Sequence, residues 1–206
     1  MTKRVGNKRG FGGELRAEII AAAERLLAEQ ASSEALTLRA IAREAGIAAP
    51  SIYAHFPDRD AILDAVVERA FDQLGDACGD AAQATPPGRS AVLEMSLAYV
   101  RFARAQPGQY RIMFERSPAN IASPPHPYQE GTRAFDVLLR VMRAEAGGGS
   151  GSDIELVRDA QTLLAALHGI AVLRPALPGF AWQDEDALIG NAVGRICLTA
   201  PHSNGR

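Results

Sequence analysis

The residues best suited to nucleophilic or metal chemistry in this 206-residue chain are His55, His126, His168 and His202 with Cys78 and Cys197. They do not assemble into a motif. No histidine has a His or Cys neighbour at metal-site spacing, and no glycine-rich run has the pattern that cradles a phosphate. The sequence therefore points to no enzyme, no metal and no cofactor. What remains is chemistry suited to a polyanion. Lys8 and Arg9 lie in a basic N-terminal arm, and Thr37, Arg39, Ser51, Tyr53, His55 and Arg59 fall close together further on. Ser, Tyr and His reach phosphate oxygens, whereas Arg can fork onto guanine O6 and N7.

Those residues need a scaffold, and the stretch 37–56, TLRAIAREAGIAAPSIYAHF, reads as two short helices around a tight turn. Leu38, Ile41, Ala42 and Ala45 recur at three- and four-residue spacing behind Thr37, a good capping residue. Gly46 suits the positive φ that follows a helix end, and Ile47 can pack back on the first helix. Pro50 suits the opening of a second helix, whose inward face is expected to be Ile52, Tyr53 and Phe56. The segment predicts a helix-turn-helix.

The run LTLRAIAREAGIAAPSIYAHFPDRDAIL, 36–63, resembles the DNA-binding core of the TetR family of one-component transcriptional regulators. The Gly-Ile turn, Ser-Ile-Tyr, His-Phe and Pro-Asp-Arg-Asp all stand at the family's spacing. Many members carry Lys where this chain has Arg59, which keeps the charge and adds a forked contact. The resemblance implies a DNA face of Thr37, Arg39, Ala48, Ala49, Pro50, Ser51, Tyr53, His55 and Arg59, to which the charge of the N-terminal arm adds Lys8 and Arg9. QPGQYRIMF, 106–114, resembles ligand domains of the same family. LLAALHGIAVL, 163–173, resembles a subgroup with a Trp-His-Gly signature, departing from it at Leu164, where Trp is expected.

The net charge of −2 makes the whole chain a poor electrostatic partner for DNA, so affinity must be local. Lys3, Arg4, Lys8 and Arg9, with no acid in residues 1–10, give the arm +4 and leave −6 for the remainder. A disordered tail explains that arm about as well as a phosphate-binding one. Apolar residues at 47% and charged residues at 22% fit a globular chain with a buried core. The two cysteines read as thiols in a reducing compartment. The longest uncharged apolar run, 160–173, is shorter than the roughly 20 residues of a membrane span, so a cytoplasmic protein with no membrane partner is expected.

Along the chain the pattern is all-α. An amphipathic helix carries Leu15, Ile19, Ala22, Ala23, Leu26 and Leu27. A long helix from Pro57–Asp58 is expected to run to about Gly75–Gly79. Arg89–Gln106 is helical and Pro107–Gly108 should end it, leaving a short turn over 109–116. Prolines make 117–127 a loop. Tyr128–Ala146 is helical, and GGGSGS, 147–152, is a linker. Ile154 to about Arg174 is apolar nearly all round and is expected to be buried on most sides; Asp184 to about Leu198 closes the chain.

Residues 1–57 are accordingly assigned to DNA binding, and 58–206 to ligand binding and dimerisation. Phe71, Met95, Tyr99, Phe102, Met113, Phe114, Phe135, Leu139, Met142, Leu164 and His168 form the expected pocket for an apolar small-molecule effector. Each aromatic or Met at helical spacing is by itself more often core. His168 is read as a structural histidine ahead of a ligand contact. Leu167, Ile170, Ile189, Val193 and Ile196 are the expected homodimer interface. The function expected is a repressor released from a near-palindromic double-stranded DNA operator. The rival is a helical ligand- or protein-binding module without DNA binding, favoured by Ala48, Ala49 and Ala54, which offer no hydrogen-bonding group.

Overall fold

A computed structural model describes residues 12–29, 36–86, 89–115, 129–146 and 152–198. In chain order these form α1 (Gly12–Glu29), α2 (Leu38–Glu44), a 3-10 helix (Ala49–Ala54), α3 (Arg59–Gln83), α4 (Arg89–Ala105), α5 (Pro107–Glu115), α6 (Gln129–Glu145), α7 (Asp153–Ala176) and α8 (Glu185–Leu198). Among the described residues there is no strand, and the fold is all-α. The chain divides into two compact units. The first is Met1–Ala70 with Pro107–Ser117; the second is Phe71–Gln106 with Pro118–Arg206.

In the first unit, α1 buries Ile19, Ile20, Ala22, Ala23, Leu26 and Leu27, the stripe its spacing requires. It packs against α2 and α5. Pro107–Gly108 ends one helix as expected but also starts another: the anticipated turn is α5, because Pro loses nothing at a first helical position. At Gly108, α5 lies directly against the backbone of α1. A methyl group there would overlap the carbonyl of Leu27.

Helix α3 runs past Gly75 and Gly79 to Gln83, further than expected. An interior glycine costs only about 1 kcal/mol, and the continuing stripe of Leu74, Cys78 and Ala82 is buried. Burial also pushes the Cys78 thiol up to about 12, so it stays protonated; its Sγ lies 3.7 Å from the Met95 carbonyl oxygen it faces as donor.

In the second unit α4, α6 and α7 pack pairwise on one another, and α8 covers α4 and α7. Helix α7 starts at a capping box, the Glu155 amide donating to Ser152 Oγ and the Ser152 amide to Glu155 Oε2, both at 3.3 Å. Its 24 residues are long and apolar enough to cross a membrane by length and composition, which the 14-residue uncharged run had not suggested. Its packing against three neighbours is that of a bundle helix. It is not, however, buried on most sides. Ala160, Leu163, Leu167 and Ala171 are buried, while Ile154, Val172 and Leu173 are exposed.

The α7–α8 connection is tightly bonded. Trp182 Nε1 donates to the Leu177 carbonyl at 3.1 Å, and the Phe180 ring packs against Trp182 at 4.6 Å. Arg174 lies over Trp182 and donates to the Gln183 carbonyl. Arg174 and Arg104 both pair with Glu185, at 3.4 and 2.7 Å. Asp184 caps α8 by accepting from the Ala187 amide.

Candidate nucleic-acid interface

The helix-turn-helix is built by local rules. Thr37 has extended backbone and its Oγ1 accepts from the Ala40 amide at 3.1 Å, satisfying a donor at the start of α2. Ile41 and Ala42 turn inward. At the other end Gly46 adopts φ +66°, the one positive φ among the described residues. That conformation lets the Ile47 amide reach back to the Ala42 carbonyl at 2.9 Å while the Gly46 amide donates to the Arg43 carbonyl. Arg25 of α1 clamps the last turn of α2 through Glu44 at 2.6 Å.

The recognition segment is a 3-10 helix of six residues. Side chains three apart eclipse in a 3-10 helix, so the segment has three rows. Ala49, Ile52 and His55 form the inner row, with Ile52 fully buried and its neighbours half-buried. Ala48, Ser51 and Ala54 form a second row and Pro50 and Tyr53 a third; all are exposed except the half-buried Ser51. Tyr53 is 61% exposed, not inward as 3.6-residue spacing suggested. Phe56 is buried and anchors the segment's end, with the Arg16 guanidinium over its ring at 5.0 Å.

Around this segment the capping Thr37 and, on α2, Arg39 and Arg43 are exposed. Arg59 is half-buried at the start of α3 and pairs with Asp60 at 3.1 Å. That exposed ion pair is worth at most about 1 kcal/mol, which a phosphate can outbid. Asp58 accepts from the Ala61 amide at 2.8 Å and fixes where α3 begins. The structure thus brings Thr37, Arg39, Ala48, Ala49, Pro50, Ser51, Tyr53, His55 and Arg59 into one unit. Lys8 and Arg9 lie outside the described residues. Sequence reasoning missed Arg16 and Arg25, whose roles depend on partners distant in the chain and leave no spacing signal.

The expected pocket residues are split by the unit division. Phe71, Met95, Tyr99, Phe102, Phe135, Leu139, Met142, Leu164 and His168 belong to the second unit, whereas Met113 and Phe114, on α5, belong to the first. Phe71, Met95, Tyr99, Phe102 and Met142 are buried; Phe135, Leu139, Leu164 and His168 are half-buried. Burial pushes the His168 imidazole below its ordinary value and so favours its neutral form. Of the expected interface residues, Leu167, Ile189 and Val193 are buried within their own protomer, and Ile170 and Ile196 are half-buried. Packing within the second unit claims the first three, so none of them is open to a partner.

Comparison with known proteins bears on both units. Residues 19–66 match the family model for bacterial regulatory proteins of the tetR family. Residues 92–189 match the model of the tetracyclin repressor-like C-terminal domain, so the two together cover well over half of the chain. The chain belongs to the TetR family. TetR-family proteins are DNA-binding transcriptional regulators and not enzymes. A protein of unknown function from Rhodococcus sp. RHA1 is similar over 93% of this chain and 98% of its own, at 29% identity and a TM-score of 0.75. A TetR family transcription regulator from Marinobacter aquaeolei VT8 shares the fold at 19% identity and a TM-score of 0.64, over 92% of this chain and 97% of its own. The TetR family regulator PfmR from Thermus thermophilus does so at 20% identity and a TM-score of 0.59, over 87% of this chain and 97% of its own.

Proposed function

We propose that this TetR-family regulator is a homodimeric repressor, acting in the cytoplasm, that leaves a near-palindromic operator when a small apolar molecule binds its second unit. The observation that carries the reading is the recognition surface. A capped α2 and a turn fixed by Gly46 present Arg39 in the same unit as Ser51 and Tyr53, which stand on the outward rows of the 3-10 helix. In this reading residues 1–57 contact DNA and 58–206 serve ligand and partner. Arg39 reads a base, and Thr37, Ser51, Tyr53, His55 and Arg59 hold phosphates. Lys8 and Arg9 add affinity without sequence preference.

The effector site is proposed between α4, α6 and α7, lined by Met95, Tyr99, Phe102, Phe135, Leu139, Met142 and Leu164, with Phe71 adjoining and His168 as a polar anchor. Helix α3 is continuous across the Ala70–Phe71 division, so a ligand that shifts its second half is the suggested route to the first. A differential binding of about 1–3 kcal/mol suffices to change DNA affinity 5–150-fold.

The homodimer is proposed to close through exposed Ala165, Val172, Leu173 and Ala176 of α7 together with half-buried Ile170 and Ile196, surface that has reason to leave water. A two-fold pair would place recognition elements roughly 34–36 Å apart, which is why the operator should be a near-palindrome. A gel-shift titration with DNA flanking the protein's own gene tests the reading. Retardation at lower protein concentration than for random duplex of the same length is expected, and equal retardation of both would count against an operator there.

A further inference from the structure

The outward rows of the 3-10 helix carry a narrow set of groups. Ala48 and Ala54 offer methyls, Pro50 a ring, and Ser51 and Tyr53 one hydroxyl each. The inner row is held by fully buried Ile52, so the assignment of rows is fixed by packing. Ala48 stands at the N-cap position of the helix and is exposed. No amide, guanidinium or carboxylate stands anywhere on Ala49–Ala54, so this element lacks every side chain that makes bidentate contacts with adenine, guanine or cytosine.

A major-groove surface of this kind is not mute. The thymine C5 methyl projects into the groove and is the one apolar feature of an unmodified base pair there. Small side chains also let the backbone of the turn come close enough for methyl-to-methyl contact, within about 4.5 Å. We propose that the recognition element selects thymine by its methyl group: Ala48, Pro50 and Ala54 form an apolar patch over two or more thymines in each half-site. Arg39, on the preceding helix, reads the guanine that sets the register. This rests on the DNA-binding role of the first unit and names what that surface selects.

Removing the methyl from the DNA leaves the protein unchanged and therefore its folding untouched. Half-sites are first selected by the full-length protein from a random duplex pool. Each thymine of the selected site is then replaced singly by deoxyuridine, with flanking thymines as controls, at one fixed salt concentration. The expected selected half-site has at least two thymines whose replacement weakens binding about four-fold each, equivalent to about 0.8 kcal/mol per buried methyl-sized group. Flanking replacements should change nothing. Unchanged affinity at every thymine overturns the proposal while leaving DNA binding intact. Failure to retain any duplex overturns the DNA-binding reading itself, and the proposal with it. A second selection with Ala54→Gln should move one thymine of the half-site to adenine, which Gln can contact at N6 and N7. The same half-site emerging from both proteins contradicts the assignment of Ala54.

Discussion

The two units use apolar residues differently. In the first, the apolar positions of α1, Ile19 to Leu27, are closed in by α2 and α5, and the exposed positions around the turn set Arg39 and Tyr53 beside small Ala48, Pro50 and Ala54. In the second, α7 offers apolar groups in several directions and its neighbours cover one of them, leaving Ile154, Val172 and Leu173 wet. The first unit thus exposes small apolar groups and one tyrosine around its turn, whereas α7 exposes large aliphatic ones. Two glycines mark the contrast. Gly108 sits where a methyl group would strike the Leu27 carbonyl, while Gly169 on α7 has nothing within 4 Å of where its methyl would be.

Substituting the two glycines tests that contrast directly. Gly108→Ala should cost about 1–3 kcal/mol or more, because the atom it strikes is backbone and cannot rotate away. Gly169→Ala should instead stabilise the protomer by up to about 1 kcal/mol and, if the dimer closes there, weaken association. Urea denaturation checks the first pair of signs and sedimentation the last. Equal effects at the two positions would erase the contrast.

The seam is tested by placing a charge on it. Leu173→Asp places a charge on a residue already 48% exposed, so the protomer should keep its helicity by circular dichroism while sedimenting as a monomer at micromolar concentration. Val193→Asp, at a residue 1% exposed, should unfold the second unit instead. A Leu173→Asp protein that stays dimeric would move the interface elsewhere.

How much of this was legible depended on how local each cause is. Thr37, Gly46 and Pro50 act on the backbone within three residues of themselves, and their roles were readable without knowing any distant partner. Tyr53 was misread because inward and outward rows follow period 3.0 in the 3-10 helix and period 3.6 in an α-helix. Pro107–Gly108 was read only as a stop, although the same pair can start a helix. Leu167, Ile189 and Val193 were assigned to a partner, yet they fill their own protomer. Hydrophobicity states that a side chain will leave water without stating which chain will cover it. Val172 and Leu173 were equally apolar and were left exposed by neighbours that the sequence does not reveal.

Two smaller effects sharpen the reading of the first unit. Thr37→Ala removes the acceptor at the start of α2 and should cost about 1 kcal/mol in a denaturant titration. A negligible change would mean that packing alone holds α2. Glu24 concerns pH. Burial pushes its carboxyl up, and Arg69 and Arg25 pull it down only in part. Its folded pKa therefore lies above its unfolded one, so the neutral form is favoured by folding and stability falls as pH rises through the folded value. Glu24→Gln should accordingly raise stability slightly at pH 8 and leave it unchanged near pH 3. The opposite trend would show that the pair with Arg69, 3.4 Å away, outweighs desolvation.

The central claim is that the first unit reads sequence through side chains presented on a locally determined turn. Arg39→Ala tests it most directly, because Arg39 is exposed and its loss should leave α2 folded. At one fixed salt concentration the affinity for the selected operator should fall about 5- to 150-fold, corresponding to about 1–3 kcal/mol for a forked base contact, while affinity for random duplex falls much less. An equal loss on both duplexes would contradict the account, since it would make Arg39 a phosphate contact and leave the surface without a hydrogen-bonding base reader.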